Sequence, residues 1–351
     1  MHAPQAWLTP SLHPVYARLI CAELRRRGFS EAEILDGTRL SWADLHGQSL
    51  FLSFEQVRRL ILRALALSQS PSLGLVVGQS TQLSAHGALG YAAMAASDIG
   101  QVLTLMQRFT ALRQSVAYFD VDTTEGLALV LREERSAPEV REYLMGHFAA
   151  GLIRLMETIT GQDLRSRIKV HWPFAEPPWA QAYRDFCPNL CFGAQALRID
   201  LPLDLLTCPS LAPDPDAYRV ALRDCERQLG QLQGGSVTLR VQQRLLACVG
   251  SYPTLEQMAE TEHVSPRTLI RHLREEGVTY QYLLDHVREE LACWLLVQTP
   301  LSVEAIAERL GYQDTSNFSR TFRRWLGVTP RAFRMVRAEP SALTNPSSSP
   351  Q

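Results

Sequence analysis

With 351 residues and 46% hydrophobic content, the chain is long enough for two or three domains with ordinary cores. A net charge of −1 excludes a generally basic nucleic-acid coat, so any affinity for DNA has to come from a local surface. Seven cysteines at irregular positions (21, 187, 191, 208, 225, 248 and 293) do not make a secreted disulfide framework, and no stretch has the length of a membrane span.

Residues 1–13 lack a cationic segment leading into an apolar run and read as an N-terminal tail, so the expectation is a cytoplasmic protein with reduced thiols and no membrane partner. Residues 14–27 have helical spacing, with Val15, Leu19 and Ala22 inward and Gly28 as the stop, and a short helix follows at 31–35. Ser53-Phe-Glu-Gln56 is a capping box, and Val57, Leu60, Ile61, Ala64 and Leu65 give the helix behind it an apolar face. Residues 83–96 predict a helix packed tightly where it passes Gly87 and Gly90, and Asp98 starts another bearing Ile99, Val102, Leu103, Met106 and Phe109. The period then changes: residues 116–121 and 127–132 flank Thr123-Thr-Glu-Gly126 as a β-hairpin. A helix at 139–160 follows, then strands at 168–172 and 196–200 separated by a helix near 178–186. Residues 14–211 therefore predict an α+β domain of helices and a small sheet.

The proline- and aspartate-rich run 209–216 ends that domain. A helix at 217–229 and the pair Gly234-Gly235 make 212–235 a linker helix with a flexible joint. Residues 236–338 predict an all-α domain of two helix-turn-helix units. In the first, Thr254-Leu-Glu-Gln257 is a capping box, and Ser265-Pro266 starts a second helix that buries Leu269 and Leu273. In the other unit Ser302 precedes Val303, Ile306, Ala307 and Leu310, and the Gly311-Tyr312 turn leads to a helix with Phe318, Phe322, Trp325 and Leu326 inward. Between them residues 280–298 form one helix, which at 1.5 Å per residue spans roughly 28 Å. That is close to the roughly 34 Å between successive major grooves on one face of B-DNA, so one subunit could reach two adjacent grooves. Residues 339–351 are Ser/Pro-rich with little to bury and are expected to be disordered.

The candidate DNA-contacting residues are Arg267, Thr268, Ile270, Arg271 and Arg274 in the first unit, and Thr315, Ser316, Asn317, Arg320, Arg323 and Arg324 in the second. The competing reading is a solvated helix face. Repetition of one design favours the DNA surface, as do six arginines and no acid between residues 315 and 337. Arg331 and Arg334 are set apart as structural or phosphate-contacting.

This segment resembles the DNA-binding domain of the AraC/XylS family of bacterial transcription regulators. The resemblance rests on Leu301-Ser-Val-Glu-Ala-Ile-Ala-Glu-Arg-Leu-Gly-Tyr312, on Asn317-Phe-Ser-Arg-Thr-Phe-Arg-Arg-Trp-Leu-Gly-Val-Thr-Pro330, and on Phe333-Arg334. It implies base contacts at Arg267, Ile270 and Arg271, and at Ser316, Asn317 and Arg320. Ile270 stands where a polar reader is common, which leaves contact with a thymine methyl or no readout there. Gly74-Leu-Val-Val-Gly78, Gly87-Ala-Leu-Gly-Tyr91, Cys191-Phe-Gly193 and Leu201-Pro-Leu-Asp204 resemble the non-barrel sensor of the subgroup that includes ornithine-utilisation regulators. The resemblance implies promoter DNA, RNA polymerase and an unknown small-molecule effector as partners, a homodimer as one assembly, and activation more often than repression. A regulator with no ligand, controlled by abundance or a protein partner, is the alternative.

Two further sites are weighed. Cys187-Pro-Asn-Leu-Cys191 could hold zinc, but its spacing is unusual, no second pair is near, and His171 is the one close histidine, so buried thiols and no cofactor are expected. Units of this type also occur fused to DNA-repair proteins that accept an alkyl group on a zinc-bound cysteine, and the four-cysteine cluster this needs is missing. Trp172, Phe174, Tyr183 and Phe192 could line a pocket for an apolar or partly charged molecule, although aromatics so spaced more often form core. Gly74-Leu-Val-Val-Gly78 lacks the lysine of a phosphate-binding loop and no serine sits in a nucleophile-elbow sequence, so no enzyme is expected.

Overall fold

A computed structural model of the chain describes residues 4–46, 51–124, 126–135, 137–234 and 236–338. They fall into two compact units, one of residues 10–234 and one combining residues before 10 with those from 235 onward.

The chain opens with α1 (Pro4–Leu8), a short helix of the second unit, and then enters the first. There β1 (Pro10–Leu12) precedes α2 (Val15–Arg26), α3 (Glu31–Leu35) and α4 (Trp42–His46), and pairs antiparallel with β2 (Leu52–Ser53). The capping box at the head of α5 (Phe54–Ser68) is complete: Gln56 N donates to Ser53 Oγ at 3.2 Å, and Ser53 N to Gln56 Oε1 at 2.8 Å. Next come α6 (Leu73–Ser80), α7 (Gly87–Ala95), α8 (Ile99–Phe109), the hairpin β3 (Ala117–Asp122) and β4 (Leu127–Glu133), and the 23-residue α9 (Pro138–Thr160). The unit closes with β5 (Lys169–Trp172), α10 (Gln181–Phe186), β6 (Leu190–Phe192), β7 (Arg198–Leu201) and α11 (Pro215–Gly234).

Five strands form one open sheet in the order β3-β4-β7-β5-β6, antiparallel except where β5 and β6 run parallel. The apolar face of α9 packs with α7, α8 and the sheet in a single core. Glycine lets α6 lie against α9: a Cβ on Gly74 would collide with the Tyr143 carbonyl, and one on Gly78 would come within 2.6 Å of the His147 carbonyl oxygen. This is the physical content of the Gly74–Gly78 pattern.

The second unit is all-helical: α12 (Val237–Ala247), α13 (Leu255–Thr261), α14 (Pro266–Glu275), α15 (Tyr280–Gln298), α16 (Val303–Arg309), α17 (Thr315–Leu326) and α18 (Pro330–Ala338). Its centre is α15, which buries Leu283, Leu284, Val287, Leu291 and Leu295.

Two boundaries and one strand differ from the sequence reading. Residues 1–13 are not simply a tail: α1 lies against α12 and α15 with Leu8 buried, and Ser11 and Leu12 are buried in the other unit. The helix assigned to the linker packs on α7 and buries Ala221 and Cys225 at four-residue spacing, so the first unit runs to residue 234 rather than 211. β6 was not anticipated, because three residues carry too little alternation to show. Gly234 ends α11, whereas Gly235 and the tail 339–351 lie outside the described residues. Among the described residues no single helix is long and apolar enough to cross a membrane.

Candidate nucleic-acid interface

Each helix-turn-helix unit fixes its second helix by a cap and a buried stripe. Ser265 Oγ accepts from Thr268 N at 3.1 Å to start α14, with Pro266 in the first turn, and Leu269 and Leu273 are buried. Asp314 Oδ1 accepts from Asn317 N at 2.6 Å to start α17, with Phe318 and Phe322 buried. Trp325 and Leu326, expected on that buried stripe, are half-buried. Rings of Tyr312, Phe318, Phe322 and Phe333 follow one another at centroid separations of 5.4, 5.7 and 5.5 Å, tying α17 to α18.

The other faces are open. Arg267, Arg271 and Arg274 are exposed on α14, with Thr268 and Ile270 half-buried beside them. The Thr268 hydroxyl is shared with that of Ser265 at 2.8 Å. On α17, Ser316, Asn317, Arg320, Arg323 and Arg324 are exposed and Thr315 is half-buried. Arg271 lies 3.7 Å from Glu275, whereas Arg267, Arg274, Arg320, Arg323 and Arg324 form no ion pair among the described residues. Each unit thus carries all its predicted residues on one helix, with most of the guanidinium groups uncompensated.

Residues behind these faces hold them in place. The Arg334 guanidinium donates to the carbonyls of Leu296 (3.0 Å) and Leu301 (2.6 Å), capping the end of α15, so its role is structural. Arg331 remains 81% exposed and only 3.7 Å from Glu304. Arg288 of α15 lies 4.5 Å from the ring of Tyr252 and 5.3 Å from that of Tyr312, joining the segment before α13 to the turn before α17. Glu276 Oε1 and Oε2 accept from the backbone N–H groups of Val237 and Thr238, both at 3.0 Å, and Oε2 accepts from the Ser236 hydroxyl at 2.6 Å. Burial alone would raise this carboxyl, but those hydrogen bonds outweigh it and hold the group below its ordinary value. Glu262 receives Arg240 and Arg244 at 2.7 and 2.8 Å, anchoring α12 to the first turn.

In the first unit, Trp172, Phe174, Tyr183 and Phe192 are brought together, but against one another. Ring centroids of Trp172 and Tyr183 are 4.8 Å apart, and Phe192 stands 5.9 and 6.0 Å from Tyr183 and Phe174. Trp172 and Tyr183 are fully buried, and the Tyr183 hydroxyl donates to Glu142 at 2.8 Å. Trp172 and Tyr183 are thereby core, whereas Phe174 and Phe192 are half-buried and Phe192 also lines an open cleft with Glu176 and Arg184. A half-open, mainly apolar cavity of about 130 Å³ lies elsewhere, among α2, α7, α8, α9 and β3. The thiols of Cys187 and Cys191 face different partners: Cys187 reaches the carbonyls of Arg165 and Asn189 at 3.4 Å, and Cys191 lies 3.1 Å from His171 Nδ1. His171 Nε2 continues to Asp200 at 2.6 Å.

Three comparisons with known proteins bear on this arrangement. Residues 28–210 match the family described as the arabinose-binding domain of AraC transcription regulators, and residues 258–335 match a helix-turn-helix domain family. The ornithine utilization regulator of Pseudomonas aeruginosa is 33% identical over 334 residues, covering 93% of this chain and 97% of its own. The chain belongs to the AraC family. It is a DNA-binding transcription regulator with an N-terminal domain of the ligand-binding type. An uncharacterized HTH-type transcriptional regulator of Mycobacterium tuberculosis is 27% identical over 340 residues, covering 92% and 96% of the two chains. The crystal structure of CdpR from Pseudomonas aeruginosa shares 22% identity at a TM-score of 0.47, covering 92% of this chain and 98% of its own. In this AraC-family chain the N-terminal sheet is open, with β3 and β6 as its edges, and is not a barrel. Sequence reading missed Arg288, whose partners lie 36 and 24 residues away. It also missed the cavity, whose lining no local motif announces.

Proposed function

We propose that this regulator reads promoter DNA with α14 and α17 together, placed by one subunit in adjacent major grooves. Arg267, Ile270 and Arg271 meet base edges in one groove, and Ser316, Asn317 and Arg320 in the other. Thr268, Arg274, Thr315, Arg323 and Arg324 extend the contact to phosphates. The observation that carries this reading is the repeated exposed arginine face, in which Arg271 alone of the six candidate arginines has an acidic partner among the described residues, on two helices set at the ends of α15. Arg271 exchanges Glu275 for DNA, and half-buried Ile270 offers an apolar edge to a thymine methyl.

Control passes through the N-terminal unit. A small-molecule effector bound there favours one state of the regulator, by no more than its own preference between the states. The protein acts in the cytoplasm without catalysis and activates by recruiting RNA polymerase. The relative named for ornithine utilization does not assign the effector of this chain. The test is fluorescence anisotropy with DNA from upstream of its own gene, titrated with salt and competed with unrelated DNA. Binding that survives competition supports sequence-specific regulation. Weak binding that salt erases, with and without candidate effectors, would sink it.

A further inference from the structure

Arg113 is the unusual residue of the N-terminal unit. It is 7% exposed, yet no carboxylate pairs with it among the described residues. Its guanidinium donates to the backbone carbonyls of Leu112, at 3.0 Å, and His86, and Nε has no partner. A buried cation held only by carbonyl dipoles is costly to desolvate and gains strongly from an anion.

The titratable groups that line the cavity with it are neutral, and the one charged neighbour acting on it, Arg18, is a second cation. Burial, with Arg113 adding to it, pushes His86 down to about 4. Burial, with His86 adding to it, pushes His147 down to about 4. Burial pushes Tyr16 up to about 12 against the pull of Arg113. The Tyr16 ring stands 6.0 Å from His86 and 5.8 Å from His147, and His147 Nδ1 has no hydrogen-bond partner. Arg113, Tyr16, His86 and His147 all line the cavity of about 130 Å³. The remaining wall is mainly apolar, with Leu83, Leu89, Met106, Phe119, Phe148 and Leu152, and its described residues include no aspartate or glutamate. The volume is comparable with the roughly 150 Å³ of an engineered apolar cavity that admits one benzene ring.

Resting on the reading of this unit as effector-binding, we propose that the cavity binds a small organic acid with an apolar body, its carboxylate on Arg113 and its hydrocarbon part against α7 and α9. An amine or a diamino acid would set an ammonium group against walls with no counter-charge. A neutral amide of the same shape keeps the apolar contacts but leaves Arg113 uncompensated.

The test is a charge series of one shape: phenylacetate, phenylacetamide and 2-phenylethylamine, with hexanoate as a second acid, measured by calorimetry and thermal stabilisation on the full chain. The acids are expected to bind roughly tenfold or more tighter than the amide, and the amine not at all. Arg113→Met should abolish the acid preference. Gly151 lines the cavity, and a Cβ there meets nothing closer than 3.9 Å, so Gly151→Leu should fill the space and block every probe even if R113M fails to fold. Amide or amine binding as well as the acids overturns the assignment of class. No acid stabilising the wild type at millimolar concentration overturns the site. A metabolite that stabilises wild type and G151L alike also overturns the site, but leaves effector control standing.

Discussion

The two helix-turn-helix units share a plan and differ at the turn and in charge. His263 (φ 56°) and Gly311 (φ 76°) occupy the same left-handed position, just after the first helix of each unit. At 311 a Cβ would stand 2.9 Å from the Gly250 carbonyl oxygen, whereas His263 is exposed and its side chain meets solvent. Glycine at 311 is thus demanded by the neighbouring backbone as much as by the turn, and where that neighbour is absent the turn tolerates histidine. Charge follows a similar division. The α14 helix runs into Glu275 and Glu276, one beside Arg271 and the other capping α12, whereas α17 and α18 carry arginines and no acid. The first unit is wired into its own domain, and the second is left free to face an anion.

The largest effect should come from forcing the second turn to resemble the first. Gly311→Ala combines left-handed strain with a backbone contact and should cost about 2–4 kcal/mol in urea unfolding of the full chain. A loss under half a kilocalorie would mean that the Gly250 segment yields freely. Next is the division between reading and holding: Arg320→Ala should cost about 1–3 kcal/mol and relax preference at one base, whereas Arg331→Ala should weaken all sequences alike. Anisotropy on an operator and its single-base variants separates them, and equal losses on every sequence for both would undo the assignment.

Glu276 tests the wiring of the first unit. Because its folded carboxyl lies below the ordinary 4.5, its contribution is present above that pH and lost as the pH falls through the depressed value. Glu276→Gln should cost about 1 kcal/mol near neutrality, the scale of a helix cap, and should flatten the acid limb of the stability profile. An unchanged profile in the variant would show that α12 is held without it. Smallest is His263→Gly, which relieves the strained position and should stabilise by about 0.5–1 kcal/mol in the same unfolding measurement. Destabilisation instead would point to a role for the imidazole.

Features set within four residues were legible in advance. The capping boxes at Ser53 and Thr254 and the Ser265-Pro266 start all formed as the sequence implies, because each satisfies its own backbone donors locally. The exposed arginine faces were legible too, since helical period alone decides which side Arg267 and Arg320 share with their neighbours. Packing between distant segments was not. Whether residues 4–8 form a helix depends on α12 and α15, more than two hundred residues away, and whether Ala221 and Cys225 are core depends on α7. Trp172, Phe174, Tyr183 and Phe192 were rightly grouped, yet only three-dimensional packing shows that Trp172 and Tyr183 are buried while Phe174 and Phe192 stay half-buried. The isolation of Arg113 is harder still, because it consists of carboxylates that do not come near.

The placement of Arg288 between Tyr252 and Tyr312 reaches beyond the protein. A shared guanidinium ties the segment before α13 to the turn before α17, and on the proposed reading this holds α14 and α17 at one separation. On DNA engaged by both, a single base pair inserted between the two contacted segments would rotate the second by about 36° around the duplex axis, away from its helix. Promoters served by such a regulator can drift by substitution between the contacts but not by insertion or deletion, so constant spacer length, more than any one base, should mark its target genes.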